Sequence, residues 1–267
     1  MKLSINFADD KFEAFRKWNT YTAKNKGKVD KVFEFKKEDM DDDFVENNSE
    51  VLNRKRGAGY WLWKPYFIKK VMDSANDGDY IMYCDSGTIF INSVDLLIDV
   101  MDEDGKSVML FELPLIERQW TNNYLFNFMG LETSEYKDSN QILASYMLFK
   151  KTPYSVFFVN EYLNLCRKKE LVTDDMTTES EEAFDHRHDQ SILSLLAKKN
   201  GLIPYRDPSD YGEFPSQYFS MNRLFRVNDR RSKYPTILLS NRKANPIKYY
   251  FKFRIKALLR KVIGNGF

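Results

Sequence analysis

Asp85, Ser86 and Gly87 stand directly after an apolar run, Tyr80-Ile81-Met82-Tyr83-Cys84. A buried strand that ends in a carboxylate presents that acid at the carboxyl edge of a sheet, where open α/β sheets bind their ligands. Gly87 would let a ligand come close to the backbone. A plain turn acid after a strand is the simpler reading of Asp85. The stretch Phe184-Asp185-His186-Arg187-His188-Asp189-Gln190-Ser191 holds both histidines of the chain. Its carboxylates, amide and imidazoles could transfer protons, contact phosphate or ligate a metal. Asp185 or Asp189 could equally cap the helix that begins here and answer its dipole. Arg56, Tyr60, Trp61, Trp63 and Lys64 mix cations with aromatic rings, a combination that stacks on a base or sugar and pairs with phosphate. The bland alternative is a pair of core tryptophans flanked by solvated cations.

These side chains need a scaffold that brings them together. Residues 2–8, 32–35, 80–84, 108–111 and 145–149 read as strands. Helical spacing marks residues 66–72 behind Pro65, then 94–101, 156–166 and 188–199, the last stopped by Asn200-Gly201. Phe12, Phe15, Trp18 and Tyr21 recur at helical spacing after Asp9-Asp10, which predicts a helix with these rings as its buried face. Strands alternating with helices predict an α/β fold with a mostly parallel central sheet flanked by helices. The 267 residues suffice for one large domain with a good core. An aromatic content of 15% excludes disorder across the chain. Cys84 and Cys166 read as buried thiols of a reducing compartment, with no support for a disulfide or a cysteine metal site. The N-terminus lacks a signal-peptide apolar core because charge returns at Asp9, and no apolar run is long enough to span a bilayer.

Charge divides the chain. Of its 41 Lys and Arg, 11 fall in residues 230–267, which hold none of the 39 Asp and Glu. Residues 1–229 therefore read as the folded domain and residues 230–267 as a basic tail. Within the tail, Phe251, Ile255, Leu258, Leu259 and Val262 fall on one helical face, with Lys252, Lys256, Arg260 and Lys261 largely elsewhere. Tyr249, Tyr250 and Phe253 widen the apolar side. A basic amphipathic helix of this kind suits an anionic membrane surface. A helix docked on the domain is the alternative, and the many aliphatic residues argue against nucleic acid.

Tyr83-Cys84-Asp85-Ser86-Gly87 resembles the Asp-X-Asp motif of GT-A glycosyltransferases. There a strand-end pair of acids holds a divalent metal that holds the sugar-nucleotide diphosphate. Arg56-Gly57-Ala58-Gly59-Tyr60-Trp61-Leu62-Trp63-Lys64-Pro65 and His186-Arg187-His188-Asp189-Gln190-Ser191, in this order, complete the likeness over roughly residues 1–210. It implies a small bacterial enzyme of the capsule, lipopolysaccharide or exopolysaccharide kind. Such an enzyme moves a sugar from a UDP-hexose or UDP-HexNAc donor to a glycan or lipid-linked acceptor, with a lean to retaining chemistry. Asp189, Gln190 and Asp85 would be catalytic. Ala8, Arg56, Trp61, Lys64, Asp85, Ser86, Gly87, Gln141 and Ser145 would bind the nucleotide sugar. Glu117, Arg118, Trp120 and Thr121 would face the acceptor. Asp85 and His188 would hold Mn²⁺ or Mg²⁺, although Gly87 replaces the second acid of the motif and leaves Asp85 as its sole carboxylate. The implied site of action is cytoplasmic, at the inner face of the cell membrane through the tail. A non-catalytic nucleotide- or sugar-binding module of the same fold is the alternative.

Overall fold

The computed structural model describes residues 1–175, 184–219, 223–228, 233–240 and 245–263, with side chains of the final helix to residue 259. Its strands are β1 (Lys2–Phe7), β2 (Lys31–Phe35), β3 (Tyr80–Cys84), β4 (Thr88–Phe90), β5 (Val108–Ile116), β6 (Asn140–Lys150), β7 (Tyr205–Arg206) and β8 (Leu238–Ser240). In β3 the residues alternate between two buried faces, Ile81 and Tyr83 on one and Met82 and Cys84 on the other. A strand buried on both sides must be central and covered twice. The six-stranded sheet runs β2-β1-β3-β6-β5-β7. Only β6 is reversed: it is antiparallel to β3 and β5, while the other neighbours pair in parallel. The expected mostly parallel sheet is therefore present, with β6 longer than residues 145–149 and taking in Gln141.

Helices Trp63–Ser74, Pro153–Cys166 and Asp189–Lys199 cover one face around Phe67, Phe149, Phe158 and Leu193. Helices Glu13–Asn25 and Asp95–Glu103 cover the other around Phe90, Leu97 and Phe111.

One helix contradicts its sequence pattern. In Glu13–Asn25 the buried residues are Arg16, Asn19, Thr22 and Ala23. Phe12, Trp18 and Tyr21 are exposed and Phe15 is half-buried. The reason is the partner. The helix packs on the backbone of β4 and on a polar residue of β1. Asn19 donates to the Thr88 carbonyl at 2.8 Å and accepts from Asn6 at 2.8 Å, and the Thr22 hydroxyl accepts from the Phe90 N–H at 3.1 Å. Buried backbone groups need polar partners, so polar side chains take the inner face.

Charge changes at residue 230, but the fold continues past it. β8 pairs antiparallel with β4, and Tyr234, Ile237, Leu238 and Leu239 are buried. The final helix, Pro246–Ile263, docks through Tyr249, whose hydroxyl donates to Asp210 at 2.6 Å, and through Phe253 edge-on to Phe214. Ile247, Phe251, Ile255, Leu258 and Leu259 remain exposed. The side chains of Arg260, Lys261 and Val262 lie outside the described residues. No described helix is long and apolar enough to cross a membrane.

Trp18→Ser should therefore change the unfolding free energy by less than about 0.5 kcal/mol. Asn19→Leu, which strands the Thr88 carbonyl and removes one of the two acceptors of the Asn6 amide, should cost about 1–3 kcal/mol. Urea titrations of both variants decide it; a larger loss for Trp18→Ser would restore the aromatic face as the packed one.

Candidate active site at the carboxyl edge of the sheet

β1 and β3 are parallel neighbours with Ile5 beside Tyr83. Ala8 and Asp85 therefore leave the sheet together at its carboxyl edge. β6 returns beside β3, and its Ser145 carbonyl accepts the Asp85 N–H at 2.9 Å. A cavity of about 460 Å³ opens here. Ala8, Ser86, Gly87 and Ser145 give it a backbone-rich floor, and Asp85, Lys64, Asp189 and Gln190 bring the chemistry. Arg56, Trp61, Arg187 and His188 line it too, with Asp9 and Phe12 from the start of the first helical segment. All three sequence groups thus meet in one place.

Lys64 is the centre of the arrangement and is almost wholly buried. Its ammonium lies 2.9 Å from Asp189 Oδ2 and 3.8 Å from Asp85 Oδ1, and donates to the Ala144 carbonyl at 3.1 Å. The Tyr162 hydroxyl donates to the same Asp189 oxygen at 3.1 Å, and the Tyr83 hydroxyl donates to Asp85 Oδ1 at 2.7 Å. Burial pushes the Asp189 carboxyl above its ordinary value, and Lys64 pulls against that shift. Burial also holds the Tyr83 and Tyr162 hydroxyls far above theirs, so both remain donors.

A left-handed turn delivers Lys64. Gly57, Ala58, Gly59, Tyr60 and Trp61 all have positive φ, and Tyr60 N–H reaches the Arg56 carbonyl at 2.8 Å. L-residues other than glycine resist this conformation by roughly 1–2 kcal/mol each. Gly57 has no side chain because the Trp61 ring lies over it, and Gly59 has none because Leu52 does. The turn aims Arg56 and Trp61 at the cavity and tucks Trp63 against Phe7, ring centroids 3.8 Å apart. The short Gly57-Ala58-Gly59 signal thus marks this reversal of handedness.

The histidines divide in role. His186 bonds the Leu171 carbonyl through Nε2 at 2.9 Å, and its Nδ1 faces the Asn122 N–H. His188 bonds the Val172 carbonyl through Nδ1 at 2.8 Å, and Trp61 stacks on its ring. Burial, together with neighbouring His186, holds His188 below its ordinary value. Its Nε2 faces Asp174, whose other oxygen accepts from Arg56 and from the Tyr60 hydroxyl. Arg56 also grips both oxygens of Asp185 at 2.8 Å. Among the described residues, Asp174, Asp185 and His188 form the group whose ligand atoms come within 4.8 Å of one another, and Asp85 is outside it.

Glu117, Arg118, Trp120 and Thr121 do not line the cavity. Glu117 is fully buried and accepts from Thr121, Gln141, Ser194 and Lys198. Gln141, also buried, accepts from the Gln190 amide at 2.8 Å, and Gln190 Oε1 accepts from Ala144 N–H at 3.2 Å. The buried charge therefore fixes the rotamer of Gln141 and, through it, that of Gln190 at the cavity wall. Trp120 is buried under Arg187, whose guanidinium sits 4.2 Å from the ring centroid, and Arg118 pairs with Asp138 at 2.6 Å. The sequence reading missed Tyr83, Tyr162 and Asp174 as partners of the site. Alternation in β3 points Tyr83 at the same face as Lys64, a signal available in principle; nothing in the chain order announces Asp174.

No family model matches this sequence, and no curated protein does. Among solved structures, an active-site mutant of LgtC aligns over 96% of this chain and 96% of its own, at 14% identity and a TM-score of 0.51. The galactosyltransferase LgtC in complex with donor and acceptor sugar analogs covers 96% of this chain and 94% of its own at 14% identity, with a TM-score of 0.49. Mouse xyloside xylosyltransferase 1 covers 90% of this chain and 96% of its own at 9% identity, with a TM-score of 0.48. The first of these likenesses shows the fold: it is the GT-A type that the motifs imply.

Removing Lys64 leaves Asp189 buried without its counter-charge. Lys64→Met should lower stability by about 3–5 kcal/mol, and adding Asp189→Leu should recover part of that loss. Chemical denaturation of the single and double variants measures both; simple additivity would contradict the pairing.

Proposed function

We propose that this protein is a glycosyltransferase. It moves a sugar from a nucleotide-sugar donor, a UDP-hexose or UDP-HexNAc, to a glycan or lipid-linked acceptor in bacterial surface polysaccharide synthesis. The observation that carries the reading is the cavity at the carboxyl edge of a GT-A fold, where Asp85, Lys64, Asp189 and Gln190 converge beside Arg56 and Trp61. Breaking a glycosyl–phosphate bond leaves negative charge on the diphosphate and positive charge on the sugar ring. Arg56 and Lys55 serve the first; Asp189 serves the second. A divalent cation, Mn²⁺ or Mg²⁺, would add neutralisation at the diphosphate.

Asp189 takes two donors, Lys64 and Tyr162, on one oxygen. A carboxylate fixed in this way is suited to positioning and to electrostatic work at the donor sugar. This favours retaining chemistry, in which positioning and electrostatics carry most of the work. Gln190 borders the sugar with its amide held by Gln141. Arg187, laid over Trp120, faces the acceptor side.

A non-catalytic nucleotide-binding module is the second reading, favoured by Gly87 in place of the second acid. A donor panel separates the two. UDP-, GDP-, CMP- and dTDP-sugars are mixed with the protein in Mn²⁺, Mg²⁺ or EDTA, and nucleotide release is followed. Slow UDP release from one donor, lowered at least 100-fold by Asp189→Asn, is expected for the transferase. UDP binding without release would favour the module, and no binding of any nucleotide would refute both.

The exposed face of the final helix, Ile247, Phe251, Ile255, Leu258 and Leu259, is proposed to lie on the anionic inner face of the cell membrane, with Lys248, Lys252 and Arg254 at the headgroups. Co-sedimentation with phosphatidylglycerol-containing vesicles should fall several-fold in Phe251→Ser/Leu258→Ser. Equal sedimentation of the variant and the parent would remove the helix from membrane contact.

A further inference from the structure

We propose that Asp174, Asp185 and His188 form a divalent-cation site at the rim of the cavity, apart from the strand-end acid Asp85. His188 is 1% exposed, and its Nε2 has no hydrogen-bond partner. Nδ1 spends its proton on the Val172 carbonyl at 2.8 Å, so Nε2 carries the lone pair. Nε2 lies 3.8 Å from Asp174 Oδ1, too long for a hydrogen bond. A buried lone pair this close to a carboxylate oxygen is a repulsive contact unless a cation lies between them.

The donor set and spacing suit a metal. A histidine that gives one ring N–H to a backbone carbonyl and leaves the other nitrogen bare is the usual state of an imidazole ligand. Metal bonds of about 2.0–2.2 Å let two ligand atoms on one ion sit up to roughly 4.3 Å apart. Nε2 and Asp174 Oδ1 already satisfy that limit, and the three ligand atoms lie within 4.8 Å of one another. A small side-chain rotation closes the set. One imidazole with two carboxylates suits a first-row divalent ion such as Mn²⁺. His188 also holds a positive φ of 50°, and Trp61 and Tyr60 pack their rings on it, which fixes the imidazole in place.

Charge gives the ion a purpose, and this step rests on the transferase reading. The lining cations Lys55, Arg56, Lys64 and Arg187 are matched one for one by Asp9, Asp85, Asp185 and Asp189. The cavity wall thus offers no net positive charge to a nucleoside diphosphate. Arg56 now bridges Asp174 and Asp185. An ion on His188 and the free side of Asp174 would take over the carboxylates and turn Arg56 toward the diphosphate.

Mn²⁺ binding to the full chain, followed by electron paramagnetic resonance with and without UDP, tests the site without any turnover. Parent protein should bind Mn²⁺ and show nitrogen modulation in the spin-echo signal from the imidazole. Asp174→Asn and His188→Gln should each weaken binding at least tenfold, Arg56→Gln should tighten it, and Asp85→Asn should leave it within threefold. Asp174 is half-exposed, so its variant decides the matter if His188→Gln fails to fold. Loss of Mn²⁺ in Asp85→Asn with retention in Asp174→Asn would overturn the proposal, as would no Mn²⁺ binding in either condition. Failure here with donor turnover intact sinks only the cation site; Mn²⁺ binding with no nucleotide binding would sink the donor reading instead.

Discussion

A single ammonium holds the cavity together. Lys64 comes from the start of one helix, Asp85 from the end of β3, the Ala144 carbonyl from β6, and Asp189 from the first turn of another helix. Burying a charge costs several kcal/mol unless counter-charges and hydrogen bonds replace its water. Two carboxylates and a carbonyl supply that replacement, and two buried tyrosines satisfy the carboxylates in turn. The four elements therefore cannot drift independently. Their mutual restraint also explains how a left-handed turn survives just before Lys64: its unfavourable backbone is over-determined by what the turn delivers.

The same interaction sorts charge across the cavity. Lys64 with Asp85 and Asp189 leaves an excess of one negative charge on the floor, suited to a sugar that becomes cationic. Arg56 and the group Asp174, Asp185 and His188 lie together at another part of the wall, where a diphosphate and its cation would meet. Burial of Lys64 and Asp189 strengthens the first of these effects. Behind the wall, Glu117 anchors Gln141 and Gln190 without touching the cavity. The acidic residue thus works as a fixed strut, with its carboxylate filled by four donors.

Much of this was legible in the chain. Apolar runs located β1, β3 and β5, and the carboxyl-edge rule pointed to Asp85, which lines the cavity. Asp189 and Gln190 at a helix start, and Arg56, Trp61 and Lys64 beside them, were readable as a site because few side-chain types suit phosphate and sugar. What stayed hidden depended on partners distant in sequence. The rings of Phe12, Trp18 and Tyr21 looked like a core face, but the backbone of β4 demanded Asn19 and Thr22 instead. Glu117, Trp120 and Thr121 looked like surface contacts at a strand end; Ser194 and Lys198 of the 189–199 helix close over Glu117, to which Thr121 donates, and Trp120 is covered by Arg187. Arg56 gave no hint of Asp174 or Asp185, which lie more than a hundred residues away.

The central claim is that a nucleotide sugar occupies this cavity. A crystal structure of the protein soaked with UDP tests it most directly. The account predicts the diphosphate within reach of Arg56 and His188, the uracil between Ala8 and the neighbouring aromatic rings, and Lys64 still paired with Asp189. UDP bound elsewhere on the molecule, or a cavity that excludes UDP while another nucleotide-free ligand fills it, would contradict the account.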